Sequence, residues 1–451
     1  MSLTDRYGFS ALVLLCFSPR RTAAEWIFMA EENIFKKTEN PKAVLVSVLL
    51  KGDDEAENEA SLCELEQLLK TAGGEVFGVM TQSREAPDVR TCIGEGKVEE
   101  LKEICENNEI ALVVFDRELS PSQIRNLENE LDGVRVIDRT MLILDIFALH
   151  AVSGEGKLQV ELAQLKYTIP RLSGKGTELS RLGGGIGTRG PGESKLESDK
   201  RHLKHRIAAL EQQAEELKKN RTTMRRQRDR SGIFKFAIAG YTNAGKSTLL
   251  NLLTDAGILA ENKLFATLDP TTRKYTLPSG DEILLTDTVG FIRNLPTHLV
   301  KAFRSTLDEV AFCDGILLIV DASDPEYKNQ LSVTQELLGD LDAGGKPIIY
   351  VFNKMDEACE SFRPCAPHDG VYVEISAKTK QGIDELTEAI EKAVNEGKTK
   401  EVFVIPPSRG DIISYLYANA NVLDCEYTDT STVITAITDK KTKGFVNKSL
   451  K

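Results

Sequence analysis

Residues that could hold a phosphate group stand between Gly240 and Ser247, where the sequence reads GYTNAGKS. This segment matches the pattern G-x-x-x-x-G-K-[ST]. An apolar run with strand character, residues 233–239, precedes it, and a stretch with an apolar helical face follows it. Backbone N–H groups of such a loop surround phosphate oxygens, the lysine reaches the terminal phosphates, and the serine hydroxyl binds Mg²⁺. We therefore expect Lys246 and Ser247 to perform these roles in a nucleotide-binding site.

Three further motifs follow, each after a predicted strand. DTVG begins at Asp287, NKMD at Asn353 and SAK at Ser376. Asp287 would hold Mg²⁺ through a water molecule, and the N–H of Gly290 would meet the γ-phosphate. The carboxylate of Asp356 can accept from both N–H groups on the edge of guanine, whereas adenine offers no such pair. The order and the spacing of these motifs favour GTP over ATP.

The set of motifs resembles the TRAFAC class of GTPases. The segments GYTNAGKST, FATLDPTTR and DTVGFI are similar to the corresponding sequence motifs of the HflX family. Upstream, GKVEEL, VVFDRELSPSQ, RVIDRT and LQVELAQLKY are HflX-like too, so that the resemblance covers about residues 42–400. It implies GTP hydrolysis to GDP and phosphate with Mg²⁺ as cofactor. It also implies that a helical hairpin of the GTP-bound protein enters the large ribosomal subunit, near its catalytic centre, and that the protein helps dissociate ribosomal subunits.

Carried over to the matching positions, the resemblance implies a GTP-binding set drawn from five segments: the phosphate-binding loop, a switch segment, and the three downstream motifs. Its members are Gly240, Tyr241, Thr242, Asn243, Ala244, Gly245, Lys246, Ser247, Thr248, Phe265, Ala266, Thr267, Leu268, Asp269, Asp287, Thr288, Val289, Gly290, Asn353, Lys354, Met355, Asp356, Ser376, Ala377 and Lys378. The catalytic candidates are Lys246, Thr267 and Gly290. The Mg²⁺ candidates are Ser247, Thr267 and, through water, Asp287.

The switch threonine is assigned by register. Thr267 stands 20 residues after Ser247, as in the similar Obg-type GTPases, and the resemblance implies that it senses the γ-phosphate. Thr271 and Thr272 remain alternatives, and are otherwise threonines of a surface loop. Asn243 resembles the asparagine of potassium-assisted GTPases, which adds K⁺ as a candidate cofactor; the alternative is that Asn243 merely fits the loop.

Phe291 directly follows the D-x-x-G motif, where Ras-like enzymes have a glutamine that orients the attacking water. Phenylalanine has neither a hydrogen-bond donor nor an acceptor on its side chain, so it cannot perform that role. We predict slow intrinsic hydrolysis that accelerates only when a partner such as the ribosome, or a monovalent ion, completes the site. Packing of this ring in the core is compatible with the same prediction.

A second glycine-rich segment, from Arg181 to Lys195, contains GIGTRG and matches the dinucleotide pattern G-x-G-x-x-G. It does not lie between the strand and the helix of a βαβ unit, which that pattern requires. Between residues 171 and 206 basic side chains outnumber acidic ones, which suits the phosphate backbone of folded RNA. Arg181, Arg189 and Lys195 are therefore candidate RNA contacts, and a flexible solvated linker is the alternative interpretation.

The organisation of the 451 residues predicts an α/β protein of several domains. Strands and helices alternate over residues 42–139, which indicates a parallel sheet. Leucines spaced by seven between Leu196 and Leu217 indicate a two-helix coiled hairpin. We expect a poorly ordered N-terminal extension (1–41), a small α/β domain (42–139), a helical hairpin with a glycine-rich basic tip (140–231), a P-loop GTPase domain with a mostly parallel sheet (232–397) and a strand–helix–strand–strand α+β appendage (398–451).

Composition and charge limit the binding partners and the cellular location that the sequence allows. The net charge of −12 argues against bulk attraction to nucleic acid, and the eight scattered cysteines are typical of reduced cytosolic thiols. The run FSALVLLCFS is too short to span a membrane, and its arginines follow it, which is the wrong order for a signal peptide. We expect a cytoplasmic monomer, associated with ribosomes or peripherally with a membrane, and hypothesise that translation begins at Met29.

Two other functions remain open at the level of the sequence. One is a GTP-gated adaptor for a protein partner, such as a membrane protease, with no role at the ribosome. The other is a metabolic ATPase, which the NKMD motif disfavours. Neither changes the prediction of a P-loop nucleotide site.

Overall fold

The computed structural model describes residues 35, 40–172, 200–217, 219, 233–254, 264–265, 270–294, 299, 309–341, 343, 345–359, 362–365, 370–396, 399–428, 430–438 and 440–450. The glycine-rich segment, the predicted switch threonine and most of the predicted N-terminal extension lie outside these residues. The chain divides into two compact units, residues 1–146 and 147–451, and each is described by itself. None of the described helices is long and apolar enough to cross a membrane.

The first unit contains a four-stranded parallel sheet with the order β2-β1-β3-β4. The strands are β1 (Lys42–Leu50), β2 (Glu75–Arg84), β3 (Leu112–Phe115) and β4 (Arg135–Asp138). The helices are α1 (Glu55–Ala72), α2 (Glu95–Asn108), α3 (Pro121–Glu130) and α4 (Arg139–His150), the last of which continues into the second unit. The predicted α/β architecture with a parallel sheet is confirmed here.

Local signals explain where these helices begin and end. The side chain of Asp54 accepts a hydrogen bond from the first turn of α1, and Gly73 ends that helix with φ +91°, a conformation that a Cβ disfavours. At α3, Ser120 and Gln123 form a capping box in front of Pro121. Because each cap satisfies backbone groups that the helix leaves unpaired, these boundaries follow from the sequence.

A buried ion cluster sets the position of α4 in the first unit. Arg139, which is 3% exposed, donates to Asp116 at 2.6 Å, and its guanidinium lies 2.9 Å from the carboxylate of Glu64. The hydroxyl of Ser61 donates to the other oxygen of Asp116 at 2.7 Å. A buried charge is tolerated only when it is paired, so the cluster joins α1, the end of β3 and the start of α4.

The helical region of the second unit contains α5 (Gly154–Thr168) and α6 (residues 200–217). Arg206 pairs with Glu161 at 2.8 Å and Lys166 pairs with Glu211 at 2.7 Å, so the two helices are in contact. The predicted apolar seam is the partly or fully buried face of α6, formed by Leu203, Ile207, Leu210, Ala214 and Leu217.

A six-stranded sheet with the order β10-β9-β8-β5-β7-β6 follows in the second unit. The strands are β5 (Phe234–Gly240), β6 (Thr271–Thr276), β7 (Glu282–Asp287), β8 (Gly315–Asp321), β9 (Ile348–Asn353) and β10 (Val371–Glu374). Edge strand β6 is antiparallel to β7, and the other pairings are parallel. The flanking helices are α7 (Lys246–Thr254), α8 (Tyr327–Asp340) and α9 (Ile383–Asn395). The predicted mostly parallel sheet is confirmed.

The C-terminal region contains a three-stranded antiparallel sheet with the order β11-β13-β12. Its elements are β11 (Thr399–Ile405), α10 (Gly410–Asn419), β12 (Asn421–Tyr427), β13 (Thr432–Thr438) and α11 (Lys440–Ser449). The strand–helix–strand–strand prediction omitted α11. This helix contains a glycine and only two apolar residues, Phe445 and Val446, and it is anchored by Val446, which is completely buried.

Candidate functional site

The phosphate-binding loop and the D-x-x-G and NKMD motifs lie at the carboxyl ends of neighbouring parallel strands. β5 ends at Gly240, β7 at Asp287, β8 at Asp321 and β9 at Asn353. β5 pairs with both β7 and β8, and β8 pairs with β9. Because loops at this edge of an open α/β sheet form its ligand sites, the topology brings motifs together that are far apart in the sequence.

Two glycines of the phosphate-binding loop are required by close contacts. A Cβ on Gly240 would lie 2.3 Å from the carbonyl oxygen of Ile319, and φ at Gly240 is +151°. A Cβ on Gly245 would lie 2.3 Å from the side-chain amide of Asn353, and φ at Gly245 is +96°. Any side chain at either position would push the loop away from the sheet, so both glycines serve the shape of the site.

Lys246 is the first residue of α7, and its ammonium group is buried beneath the loop. It donates to the carbonyl oxygen of Tyr241 at 2.8 Å. Burial lowers the pKa of Lys246 to about 8, and the nearby charge of Asp287 opposes part of that shift. A buried cation at the N-terminus of a helix is suited to the terminal phosphates of a nucleotide.

Ser247 and Asp287 meet as the sequence predicts for a Mg²⁺ site. The hydroxyl of Ser247 donates to Asp287 at 2.6 Å, and Asp287 is completely buried. Both groups offer the hard oxygen atoms that Mg²⁺ prefers, and one carboxylate is typical of sites in which phosphates supply further ligands. The residues therefore fit Mg²⁺. The neighbouring Thr288 turns away and donates to the carbonyl of Ile238 at 2.8 Å.

The segment after the D-x-x-G motif is paired with the phosphate-binding loop. The N–H of Phe291 donates to Gly240 at 3.1 Å, and the N–H of Thr242 donates to the carbonyl of Phe291 at 2.8 Å. A Cβ on Gly290 would lie 2.9 Å from the ammonium nitrogen of Lys246, so Gly290 borders the buried cation. The ring of Phe291 is 1% exposed and lies in the apolar core, the core packing considered for it from the sequence.

The switch segment is described only in part. Thr267 lies outside the described residues, as do Ala266, Leu268 and Asp269. Phe265 is buried, has φ +57°, and packs edge-on against Phe147 with ring centroids 4.7 Å apart.

The interpretation of the two alternative threonines as residues of a surface loop is wrong. Thr271 and Thr272 lie in β6, and Thr272 shares a hydrogen bond of 3.0 Å with the hydroxyl of Thr286 on β7. Sequence reasoning missed this strand because TTRKYT is polar and its pairing with β7 is a tertiary contact.

The guanine motifs converge on Asn353. Its side-chain amide donates to the carbonyl of Ala244 at 2.8 Å, and its side-chain oxygen accepts from the N–H of Ala377 at 3.0 Å. Asn353 therefore joins the phosphate-binding loop to the SAK loop, and both distances are those of good hydrogen bonds.

The side chain of Asp356 is held in its charged form. The hydroxyl of Ser376 donates to it at 2.7 Å and holds the pKa of that carboxyl below its usual value, with the charges of Lys378 and Lys354 acting in the same direction. Lys354 in turn pairs with Asp321 at 2.5 Å. An ionised Asp356 is the acceptor that the edge of guanine requires.

Of the remaining predicted residues, Val289 is buried, Met355 is partly buried, and Asn243 and Thr248 are exposed. Arg181, Arg189 and Lys195 lie outside the described residues. Asp321 was not predicted from the sequence, because no motif connects it with Lys354, 33 positions away.

Asp356→Asn should weaken GTP binding and improve binding of xanthosine triphosphate, since an amide donates where the carboxylate accepted. The affinity for GTP should fall roughly a hundredfold or more, as expected when a polar binding site loses the group that matches its ligand. Fluorescence titration with labelled nucleotides measures it. Asp384→Asn, an exposed change on α9, is the matched control, and an unaltered preference for guanine would contradict the assignment.

Nucleotide binding should take up a proton above about pH 8, because the pKa of Lys246 is about 8 in the free protein and phosphates raise it. The affinity for GDP should be nearly constant from about pH 7, where the terminal phosphate is already ionised, up to that pKa, and fall as the pH rises through it. Calorimetry in buffers of different ionisation enthalpy, one unit above and one unit below the pKa, measures the uptake. Equal uptake at both pH values would contradict the prediction.

The chain is similar to known GTPases over most of its length. Three family models match: "GTP-binding GTPase N-terminal" over residues 59–148, "GTP-binding GTPase Middle Region" over 150–228 and "50S ribosome-binding GTPase" over 235–354. The GTPase HflX of Caldanaerobacter subterraneus subsp. tengcongensis is 48% identical over 402 residues, covering 89% of this chain and 91% of its own length. That of Lacrimispora saccharolytica is 52% identical over 354 residues, covering 78% and 84%.

Among solved structures, a GTP-binding protein from the archaeon Sulfolobus solfataricus in complex with GDP is 28% identical, with a TM-score of 0.42, and the match covers 79% of this chain and 99% of that one. The matches to the HflX relatives extend over most of the chain. The chain therefore belongs to the HflX family, and it is a GTPase that binds and hydrolyses GTP.

Proposed function

We propose that this GTPase binds the large ribosomal subunit in its GTP-bound state and leaves it after hydrolysis, and that it thereby helps dissociate or recycle ribosomes in the cytoplasm. The observation that carries the proposal is the match of residues 235–354 to the family described as 50S ribosome-binding GTPases. The excess of basic side chains over residues 171–206 supports an RNA contact on an otherwise acidic chain. Within it, Arg181, Arg189 and Lys195 are the proposed contacts.

The proposed hydrolysis relies on positioning and on charge neutralisation. Lys246 neutralises the terminal phosphates, and Ser247 with Asp287 would hold Mg²⁺, Asp287 through water. When bound, Mg²⁺ neutralises the charge that develops on the phosphate oxygens. Thr267 is proposed as its further ligand, and the N–H of Gly290 as the donor to the γ-phosphate.

Slow intrinsic turnover is expected from this chain's own residues. Phe291 lies in the core and offers no polar group to the attacking water. Asn243 is an exposed residue of the phosphate-binding loop with φ +61°, and its side chain carries an oxygen atom that can bind a monovalent cation. We propose K⁺ as that cation and the ribosome as the partner that completes the site.

Turnover should be slow in NaCl, and both KCl and large ribosomal subunits should accelerate it. Supplying one missing electrostatic contact typically changes a rate by about 10²-fold, which sets the expected scale. Phosphate release is measured at equal ionic strength in the two salts, with Asn243→Ala as the variant that should lose the K⁺ response alone. Fast turnover of the isolated wild-type protein in NaCl would contradict this account.

Ribosome co-sedimentation tests the proposed partner. With a non-hydrolysable GTP analogue the wild-type protein should pellet with large subunits, and Arg181→Ala, Arg189→Ala and Lys195→Ala together should abolish pelleting with GTP affinity intact. The control is the triple variant Lys42→Ala, Lys51→Ala and Lys448→Ala, which loses the same positive charge at three exposed lysines outside the basic segment. No ribosome binding by the wild type in any nucleotide state would refute the proposal and leave the GTP-gated adaptor.

A further inference from the structure

Arg293 follows the D-x-x-G motif by three positions, and its side chain is 8% exposed. Its guanidinium lies 2.8 Å from a carboxylate oxygen of Glu326, at the start of α8. Its backbone N–H donates to the hydroxyl of Tyr241 at 2.8 Å. The residue therefore has one contact with the phosphate-binding loop and one with the loop between β8 and α8.

Glu326 is itself fixed in place. Its backbone N–H donates to Asp324 at 2.8 Å, and its carboxylate accepts from the side-chain amide of Asn329 at 2.8 Å. The guanidinium of Arg293, and to a lesser degree the amide of Asn329, hold the pKa of Glu326 below its usual value. The carboxylate is thus charged at neutral pH, and the pair is a charge-assisted hydrogen bond.

Tyr241 connects this pair to the catalytic lysine. Its hydroxyl accepts from Arg293 and its carbonyl oxygen accepts from Lys246. Phe291, two residues before Arg293, also contacts this loop, because its N–H donates to the carbonyl oxygen of Gly240. Phe291 and Arg293 are thus both hydrogen-bonded to the phosphate-binding loop, and the Arg293–Glu326 pair joins the end of this segment to the loop between β8 and α8.

We propose that Arg293 and Glu326 are positioning residues for GTP hydrolysis: their ion pair fixes Arg293, whose backbone N–H is hydrogen-bonded to Tyr241, and so keeps residues 290–293 beside the phosphate-binding loop with the N–H of Gly290 near Lys246, where the γ-phosphate arrives. We assign Arg293 this positioning role because its guanidinium lies against Glu326 at the start of α8, while its backbone contacts Tyr241. The inference rests on the GTPase activity and on the role proposed for Gly290, and it does not depend on ribosome binding.

The loop from Asp321 to Glu326 offers an internal comparison. Its first residue pairs with Lys354 of the guanine motif at 2.5 Å, and its last residue pairs with Arg293. Weakening the Asp321–Lys354 pair should lower the affinities for GTP and GDP equally, since both nucleotides contain guanine. Weakening the Arg293–Glu326 pair should lower only the affinity for GTP, the nucleotide with a γ-phosphate.

Glu326→Gln and Arg293→Met should each lower the affinity for a non-hydrolysable GTP analogue by about tenfold and leave the affinity for GDP unchanged. Single-turnover hydrolysis should slow by a similar factor. Arg293→Lys should recover part of both losses because it keeps the charge. The double variant should lose no more than Arg293→Met alone, as expected for two residues that act through one contact.

Two controls accompany these variants. Asp321→Asn should weaken GDP and the GTP analogue equally, and Glu282→Gln, which removes the exposed pair with Lys274 on β6 and β7, should change neither. Equal losses for both nucleotides in the Glu326 and Arg293 variants would overturn the proposal, as would additive losses in the double variant. A lowered thermal midpoint with both affinities intact would show a structural role only, and would overturn it as well.

Discussion

The buried charge of Lys246 is the constraint on which the rest of the site depends. An ammonium group without water is stable only if neighbouring dipoles and charges replace its hydration. The carbonyl of Tyr241 and the carboxylate of Asp287 supply that replacement. Tyr241 belongs to the phosphate-binding loop and Asp287 to the D-x-x-G motif, so two segments that are distant in the sequence stabilise this one charge.

Close approach of backbone to neighbouring atoms determines the geometry around this charge. Gly240 lies against β8, and Gly245 lies against the amide of Asn353, which also reaches the SAK loop. The phosphate-binding loop and the guanine motif are therefore one packed assembly. Hydrogen bonds from Asn353 and the absence of Cβ atoms at the two glycines set the shape of this part of the site.

The segment after the D-x-x-G motif, residues 291–293, contacts both the apolar core and the phosphate-binding loop. Phe291 has its ring in the apolar core and its backbone hydrogen-bonded to the phosphate-binding loop, so this position joins the loop to the core of the domain. Arg293 and Glu326 extend the same attachment outward. A segment so attached holds Gly290 next to Lys246 in advance of the nucleotide, which reduces the ordering that binding must provide.

The sequence by itself determined the chemistry of the site, the parallel sheets, the helix caps such as Ser120 with Gln123, and the apolar seam of α6, because residue type and short-range periodicity carry that information. It did not reveal the Asp321–Lys354 and Arg293–Glu326 pairs, the buried Arg139 cluster, the strand that contains Thr271 and Thr272, or helix α11. Each of these depends on which strand ends and helix faces meet, between residues that are distant in the chain. Tertiary structure alone decided them, since a charged or polar side chain becomes buried and paired only when folding brings its partner to it.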